Sequence, residues 1–303
     1  MTLPVLFVGA FSLDTLYTVR GFSAGSGKYL SDSRVCTASG MATTAATAAV
    51  RLGGRASLWA SVGDDAVGDA IIAEIAEEGV DCSHIRRVAN GRTANATILV
   101  DEHGERWVVV DYDPLTQAPP SPSDLPPMSE YSAVMADVRW PGAAQAALTA
   151  ARDAGRIAVF DADVAESATL SRLAACATHV VASEKGASIL ADTTDMHAAA
   201  RWISAEYGCF TCITCGANGS LWTGSDAGMV HAVPTPQVQA VDTNAAGDVF
   251  HGAFTQALAE GQTEEQAIRF ASAAAALKCT VVGGRLGAPN RADTLELMNG
   301  TYR

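Results

Sequence analysis

Lysine is scarce in this chain. Only Lys28, Lys185 and Lys278 occur among 303 residues, and 20 lysines and arginines stand against 33 acids. The net charge of −13 argues against nucleic acid or an anionic membrane as partner. An anionic substrate would need its own local cluster of basic groups. Long apolar runs are also missing: none reaches the roughly 18 to 20 residues of a membrane span. Met1-Thr2-Leu3-Pro4-Val5-Leu6-Phe7-Val8 lacks the basic start and long apolar stretch of a signal peptide and reads as a first core strand. Disulfide spacing is absent too. The seven cysteines are odd in number and unpatterned, which points to a reducing compartment, and the expected location is the cytoplasm.

What is present is core. Hydrophobic residues make up 49 % of the chain, enough for one large α/β domain over 1–303. Cys209-x-x-Cys212-x-x-Cys215 has the look of a metal signature, but Phe210-Thr211-Cys212-Ile213-Thr214 has the β-branched and aromatic character of a buried strand. Odd spacing along a strand sends Cys209 and Cys212 to opposite faces, so they are read as small core residues.

Apolar β-type runs alternate with alanine-rich helical stretches, the pattern of a mostly parallel sheet with helices on both faces. Strands are expected at Val5–Val8, Ala56–Val62, Ala133–Ala136, Ile157–Asp161, His179–Ala182 and Thr211–Thr214. Helices are expected at Met41–Leu52, Val67–Glu78, Ala143–Ala154, Asp248–Ala259 and Thr263–Leu277. Two stretches break the alternation: a polar, turn-rich Thr15–Cys36 and a hairpin pattern over Ala94–Tyr112. Together, at about 15–36 and 94–113, they suggest a small inserted β-sheet. Pro114 to Pro127 reads as a linker back to the main sheet.

The most informative stretch is Asp242-Thr243-Asn244-Ala245-Ala246-Gly247-Asp248. It opens a helix with small residues and places a carboxylate just inside. A helix start offers unpaired N–H groups and the positive end of the dipole, and small residues let phosphate oxygens approach. An ordinary pair of first-turn acids would satisfy the spacing equally well. The stretch resembles the D-T-x-G-A-G-D signature of the ribokinase-like (PfkB) carbohydrate kinases, with Ala245 where that family usually has glycine. The resemblance implies a doubly wound α/β core with the inserted sheet as a lid over the sugar, and often a homodimer through that lid. It makes Asp248 the general base toward a sugar hydroxyl, with the amides of Ala245, Ala246 and Gly247 stabilising the transferring phosphoryl group.

Further residues follow from the same resemblance. Thr214-x-Gly216-x-x-Gly219 resembles the nucleotide turn. Ser183-Glu184-Lys185-Gly186 occupies the place of an N-x-x-E motif, which leaves Glu184 as a metal-side acid and Lys185 as a phosphate neighbour; Asp242 is a second candidate for the metal side. Asp14 becomes the sugar anchor. Ser39-Gly40 and Thr44 stand where the family has G-G and an asparagine, so Gly40 would let the sugar approach and Thr44 would offer a hydroxyl. Over most of the chain the pattern looks most like bacterial sulfofructose kinases, in which Lys28 and Arg139 would hold the sulfonate. Against that, Asp111 stands where the pattern suggests an asparagine, and a carboxylate repels a sulfonate unless it pairs with Arg139 or turns away.

The implied reaction uses ATP and Mg2+ on a ketohexose-like sugar, of the 6-deoxy-6-sulfofructose or the fructose type; dependence on a monovalent cation such as K+ stays open. Two rivals remain. A nucleoside kinase of the same superfamily would use Tyr29, Trp107 or Tyr112 as a platform for the base. A sugar- or nucleotide-binding protein without turnover would explain the eroded motifs at Ala245, Ser183, Gly186 and Thr44.

Overall fold

The computed structural model describes residues 3–20, 28–102, 106–225 and 227–302. Its strands are β1 (Val5–Gly9), β2 (Ser12–Val19), β3 (Ser31–Ser39), β4 (Ala56–Gly63), β5 (Arg86–Val88), β6 (Ala94–Val100) and β7 (Arg106–Asp111). They continue as β8 (Ala133–Ala136), β9 (Ile157–Ala162), β10 (His179–Ser183), β11 (Phe210–Thr214), β12 (Ser220–Thr223) and β13 (His231–Val233). The helices are α1 (Met41–Arg51), α2 (Ala66–Glu77), α3 (Pro114–Gln117), α4 (Pro141–Asp153) and α5 (Ser167–Ala174). After them come α6 (Glu184–Ala191), α7 (Met196–Tyr207), α8 (Ala246–Ala259), α9 (Glu264–Cys279) and α10 (Arg291–Thr301).

Nine strands form the main sheet in the order β13-β12-β11-β10-β9-β8-β1-β4-β5. Every pairing from β10–β11 across to β4–β5 is parallel, while β12 and β13 add an antiparallel edge. The central strands are buried along their whole length, which is why they read as continuous apolar runs. One core face gathers Phe7, Leu58 and Phe254 under α1, α8 and α9; the other gathers Leu6, Trp59, Trp140 and Phe160 under α4 to α7. Cys212 belongs to the first face, Cys209 and Cys215 to the second. Their alternation is that of a strand and its continuation.

Chain order reverses at β1, with β4 on one side and β8 on the other. In open α/β sheets, ligands bind outside the carboxyl ends of strands near such a reversal. The loops following β1, β8, β9, β10 and β11 all emerge at that end.

The inserted sheet is four-stranded, in the order β3-β2-β6-β7. It starts at Ser12 rather than at Thr15, and the polar stretch read as turn-rich contains most of two paired strands. Polar side chains mask the strand signal there, because β3 is exposed over Ser31–Cys36 and needs no apolar alternation. Residues 21–27 lie outside the described residues, as do His103 and Gly104 of the expected hairpin turn. The linker after β7 is interrupted by α3, capped by Asp113. No helix among the described residues is long and apolar enough to cross a membrane.

Candidate active site

Helix α8 begins where the sequence motif places it. Its N-cap, Ala245, lies in the left-handed region at φ 63° and ψ 10°, so alanine holds the conformation that glycine would adopt without strain. A Cβ on Gly247 would meet nothing within 4 Å, which leaves the helix start open to a ligand. The Ala246 N–H donates to the Thr243 carbonyl at 3.3 Å. The cradle therefore rests more on the N–H groups of Gly247 and Asp248, which have no intrahelical acceptor, than on Ala245 and Ala246.

The cradle forms one wall of a cavity of about 330 Å³. Thr214, Gly216 and Gly219 line its other side, with Pro236, Val238, Phe250 and Ala276 between. Gly219 has φ 90°, and a Cβ there would stand 2.2 Å from the Val233 carbonyl oxygen, so the turn after β11 requires glycine at that position. The walls are largely apolar, with no charged side chain among them, as suits a flat heterocycle.

Asp248 stands among acids. Burial, then the charges of Asp161, Asp137 and Asp163, push its carboxyl well above the ordinary carboxylate range, while His251 opposes them. A base with a raised pKa is better matched to proton transfer near neutral pH. His251, one turn further along α8, has Nδ1 2.7 Å from the Gly247 carbonyl, and its Nε2 lies 3.2 Å from an Asp161 carboxylate oxygen. A carbonyl can only accept, so Nδ1 carries a proton. Burial lowers the His251 pKa and raises that of Asp161. Nε2 also lies 3.3 Å from the Val181 carbonyl, which likewise can only accept, so the ring presents an N–H toward acceptors on both sides.

Asp137, fully buried after β8, accepts from the N–H groups of Ala10 (2.8 Å), Ala42 (2.9 Å) and Arg139 (2.7 Å). It thereby clamps the ends of β1 and β8 to the start of α1. Gly9 gives it room, since a Cβ there would fall 2.2 Å from the carboxylate. Gly40 caps α1 at φ 116°, and a Cβ on it would lie 2.2 Å from the Ala10 carbonyl oxygen. Asp14 accepts from Ser12 at 3.0 Å, and burial raises its pKa against the hydrogen bonds from Ser39 and Ser12. Tyr112 completes this end. Burial, Asp137 and Asp14 push its hydroxyl up to about 12, with Arg139 acting the other way. Tyr112 thus lies within electrostatic reach of Asp14, Asp137 and Arg139, beside the inserted sheet.

Several expected site residues stand elsewhere. Thr44 is wholly buried and its hydroxyl has no partner, so it is not a sugar contact in this conformation. Asp111 is 68 % exposed and pairs with Arg92 at 3.6 Å, not with Arg139. Arg139 instead pairs with Asp163 at 3.1 Å and donates to the Val164 carbonyl. Lys28 is exposed at the start of the described lid segment. Lys185 is exposed on the first turn of α6 and does not line the cavity.

The metal-side candidates fare unequally. Asp242 has both carboxylate oxygens committed: to the Asn244 N–H at 2.8 Å, the Gly283 N–H at 2.9 Å and Lys278 Nζ at 3.1 Å. It holds the loop rather than a metal. Glu184 is exposed beside Cys215, whose thiol it helps raise. Ser183 caps α6 through the Gly186 N–H. A Cβ on Gly186 would lie 1.8 Å from the Ala162 carbonyl oxygen, so this backbone has no room for the family's glutamate. Among the described residues no group of three or more His, Cys, Asp or Glu could hold a metal ion. Mg2+ bound with a nucleotide needs only one or two carboxylates beside phosphates and water, and Glu184 fits that smaller demand.

The pfkB family carbohydrate kinase model matches residues 4–291. The chain belongs to that family. It is 30 % identical to a ribokinase of Haemophilus influenzae over 270 residues, covering 86 % of each chain. Among solved structures it resembles a candidate ribokinase from Agrobacterium tumefaciens, with 44 % identity, a TM-score of 0.94 and coverage of 99 % of this chain and 98 % of that one. The Arabidopsis thaliana ribokinase complexed with ribose and ATP shares the fold at a TM-score of 0.84 and 23 % identity, over 98 % and 99 % of the two chains. The enzyme is an ATP-dependent kinase of the ribokinase-like class.

Sequence reasoning missed Asp137, Asp161 and Asp163 as site residues and considered Tyr112 only as a platform for a base. Each follows or ends a strand, and a search for acids and aromatics at strand ends would have found them.

Proposed function

We propose that the enzyme transfers the γ-phosphoryl group of ATP to a hydroxyl of a neutral ketohexose of the fructose type. The observation that carries the proposal is Asp248, a base with raised pKa one residue inside an open anion cradle. In the reaction the sugar oxygen attacks phosphorus and the bond to ADP breaks. The hydroxyl proton passes to Asp248, and the Gly247 and Asp248 amides stabilise the equatorial oxygens. Magnesium, held with the phosphates and aided by Glu184, would neutralise charge on them. Asp14 accepts from sugar hydroxyls, and Gly40 leaves space for them.

Neutrality is supported by the cations near the lid. Arg139 already meets Asp163, and Asp111 adds a carboxylate on β7 of the inserted sheet. The sulfofructose reading keeps one argument, since the Arg139 charge is felt at the Tyr112 hydroxyl, on the same side as Asp14 and Asp137. Exposed Val108 and Val109 on β7, at 55 % and 71 %, support a second copy of the chain covering the lid; a monomer in sedimentation at micromolar concentration would contradict that.

ADP release with magnesium-ATP should be measured over fructose, 6-deoxy-6-sulfofructose, fructose 6-phosphate, ribose, 2-keto-3-deoxygluconate and adenosine. Fructose is expected to turn over best, and Asp248→Ala to abolish the response. Preference for the sulfonate would reverse the neutral assignment. No stimulation by any member would favour a binding protein without turnover.

A further inference from the structure

We propose that Lys278 is a positioning residue whose ammonium serves as a resident monovalent cation behind the anion cradle, so that activity needs no added potassium or sodium. The inference rests on the kinase reading of the site. Lys278 is one of three lysines in the chain and is 0 % exposed, near the C-terminal end of α9. Its Nζ donates to the Asp242 carbonyl at 2.7 Å and meets that residue's carboxylate at 3.1 Å. The carbonyl of the next residue, Cys279, accepts from the N–H groups of Val241 at 2.8 Å and Asp242 at 3.1 Å. The carboxylate that holds the ammonium also accepts from Gly283 at 2.9 Å and Gly284 at 3.2 Å.

These bonds join three segments at one point: the end of α9, the Gly283-Gly284 turn and the loop leading into Ala245. The loop is the strained one, and Gly284 lies against it, since a Cβ there would stand 2.9 Å from the Asn244 amide nitrogen. Cys279, Thr243 and Gly247 all line the nucleotide cavity. The ammonium thus sits behind its wall, where a fixed positive charge helps phosphate oxygens without touching them. A singly charged ion held by carbonyl and carboxylate oxygens is the coordination that an alkali cation would adopt. Stability alone explains it poorly, because buried ion pairs are often replaced by apolar residues without loss.

ADP formation by the wild type should be compared in KCl, NaCl and tetramethylammonium chloride at equal ionic strength, and should agree within about twofold. Lys278→Ala opens space for a cation, whereas Lys278→Met fills it without charge. In tetramethylammonium both should fall by roughly 10²-fold in kcat, the scale of losing one preorganised electrostatic group. KCl should restore Lys278→Ala and not Lys278→Met. Thermal midpoints supply a readout that needs no turnover: KCl should raise that of Lys278→Ala only. If no sugar is phosphorylated, the kinase reading fails while the midpoints still decide the cation question. The proposal is overturned by strong stimulation of the wild type by KCl over tetramethylammonium, a result that needs no variant to fold. Full activity of Lys278→Met in tetramethylammonium would overturn it equally.

Discussion

The two ends of the active site are built differently. At the phosphate end, the loop before α8 is tied by buried bonds: Asp242 to Lys278, Gly283 and Gly284, and Val241 to Cys279. Beside the inserted sheet, Asp137 and Gly40 are equally constrained, but the outer strands of that sheet are not. Lid residues Asp111, Val108, Val109 and Lys28 are exposed, and Asp111 has a long pairing with Arg92. The chemistry common to the family is held by tertiary contacts that tolerate little change. On the proposed reading, specificity would rest with a sheet whose outer positions can vary at small cost in stability, as function-bearing surface elements generally do.

Substitutions can test this contrast. The largest effect is expected from Asp248→Asn, which should lower kcat by about 10² to 10⁴-fold, the usual contribution of a general base. The same change should stabilise the fold. The Asp248 carboxyl is raised in the folded state, so its favourable contribution is complete below the ordinary carboxylate value and is lost as pH rises through the folded value. The thermal midpoint advantage of the variant should therefore grow as pH rises above the ordinary carboxylate range. An advantage that shrinks with pH would show that Asp248 is not desolvated.

Next in size is Gly186→Glu, which restores the family's acid at the start of α6. With a Cβ 1.8 Å from the Ala162 carbonyl, it should destabilise by about 1 to 3 kcal/mol in urea unfolding. Improved turnover without loss of stability would show that α6 shifts easily, and would weaken the picture of a rigid strand-end platform. Ala245→Gly should act in the other direction. Relief of the left-handed alanine, offset by glycine's greater freedom when unfolded, should leave a gain of about 1 kcal/mol with kcat preserved.

The smallest stability effect belongs to the lid. Asp111→Asn should change stability by less than about 0.5 kcal/mol, yet raise kcat/KM for an anionic sugar relative to fructose. Unchanged preference would remove Asp111 from the specificity account and place the choice with Arg139 and Asp163. A large loss of stability would erase the distinction between the two ends.

Much of the α/β core was legible from local pattern. Parallel strands buried on both faces must be apolar throughout, so Val5–Val8, Ala56–Val62 and Ala133–Ala136 announce themselves. Helices with strong boundaries, such as the one ended by Gly261, are equally visible. The helices Ser167–Ala174, Glu184–Ala191, Met196–Tyr207 and Arg291–Thr301 were not expected, although Ser183, Asp195 and Asn290 cap three of them and Gly208 ends one. The inserted sheet was expected, but β2 and β3 were not placed one by one within 15–36, because their half-exposed faces carry no clear alternation.

The sequence by itself determined the order of the buried parallel strands, the glycine turn at Gly216 and Gly219, and the helix start that carries Asp248, because each depends on residues a few positions apart. Tertiary structure alone decided which charges meet. Arg139 and Asp163 are 24 positions apart, Lys278 and Asp242 are 36, and Asp137 joins Ala10 and Ala42 across 127 and 95. Electrostatic energy follows distance in space, and only the closed sheet sets that distance.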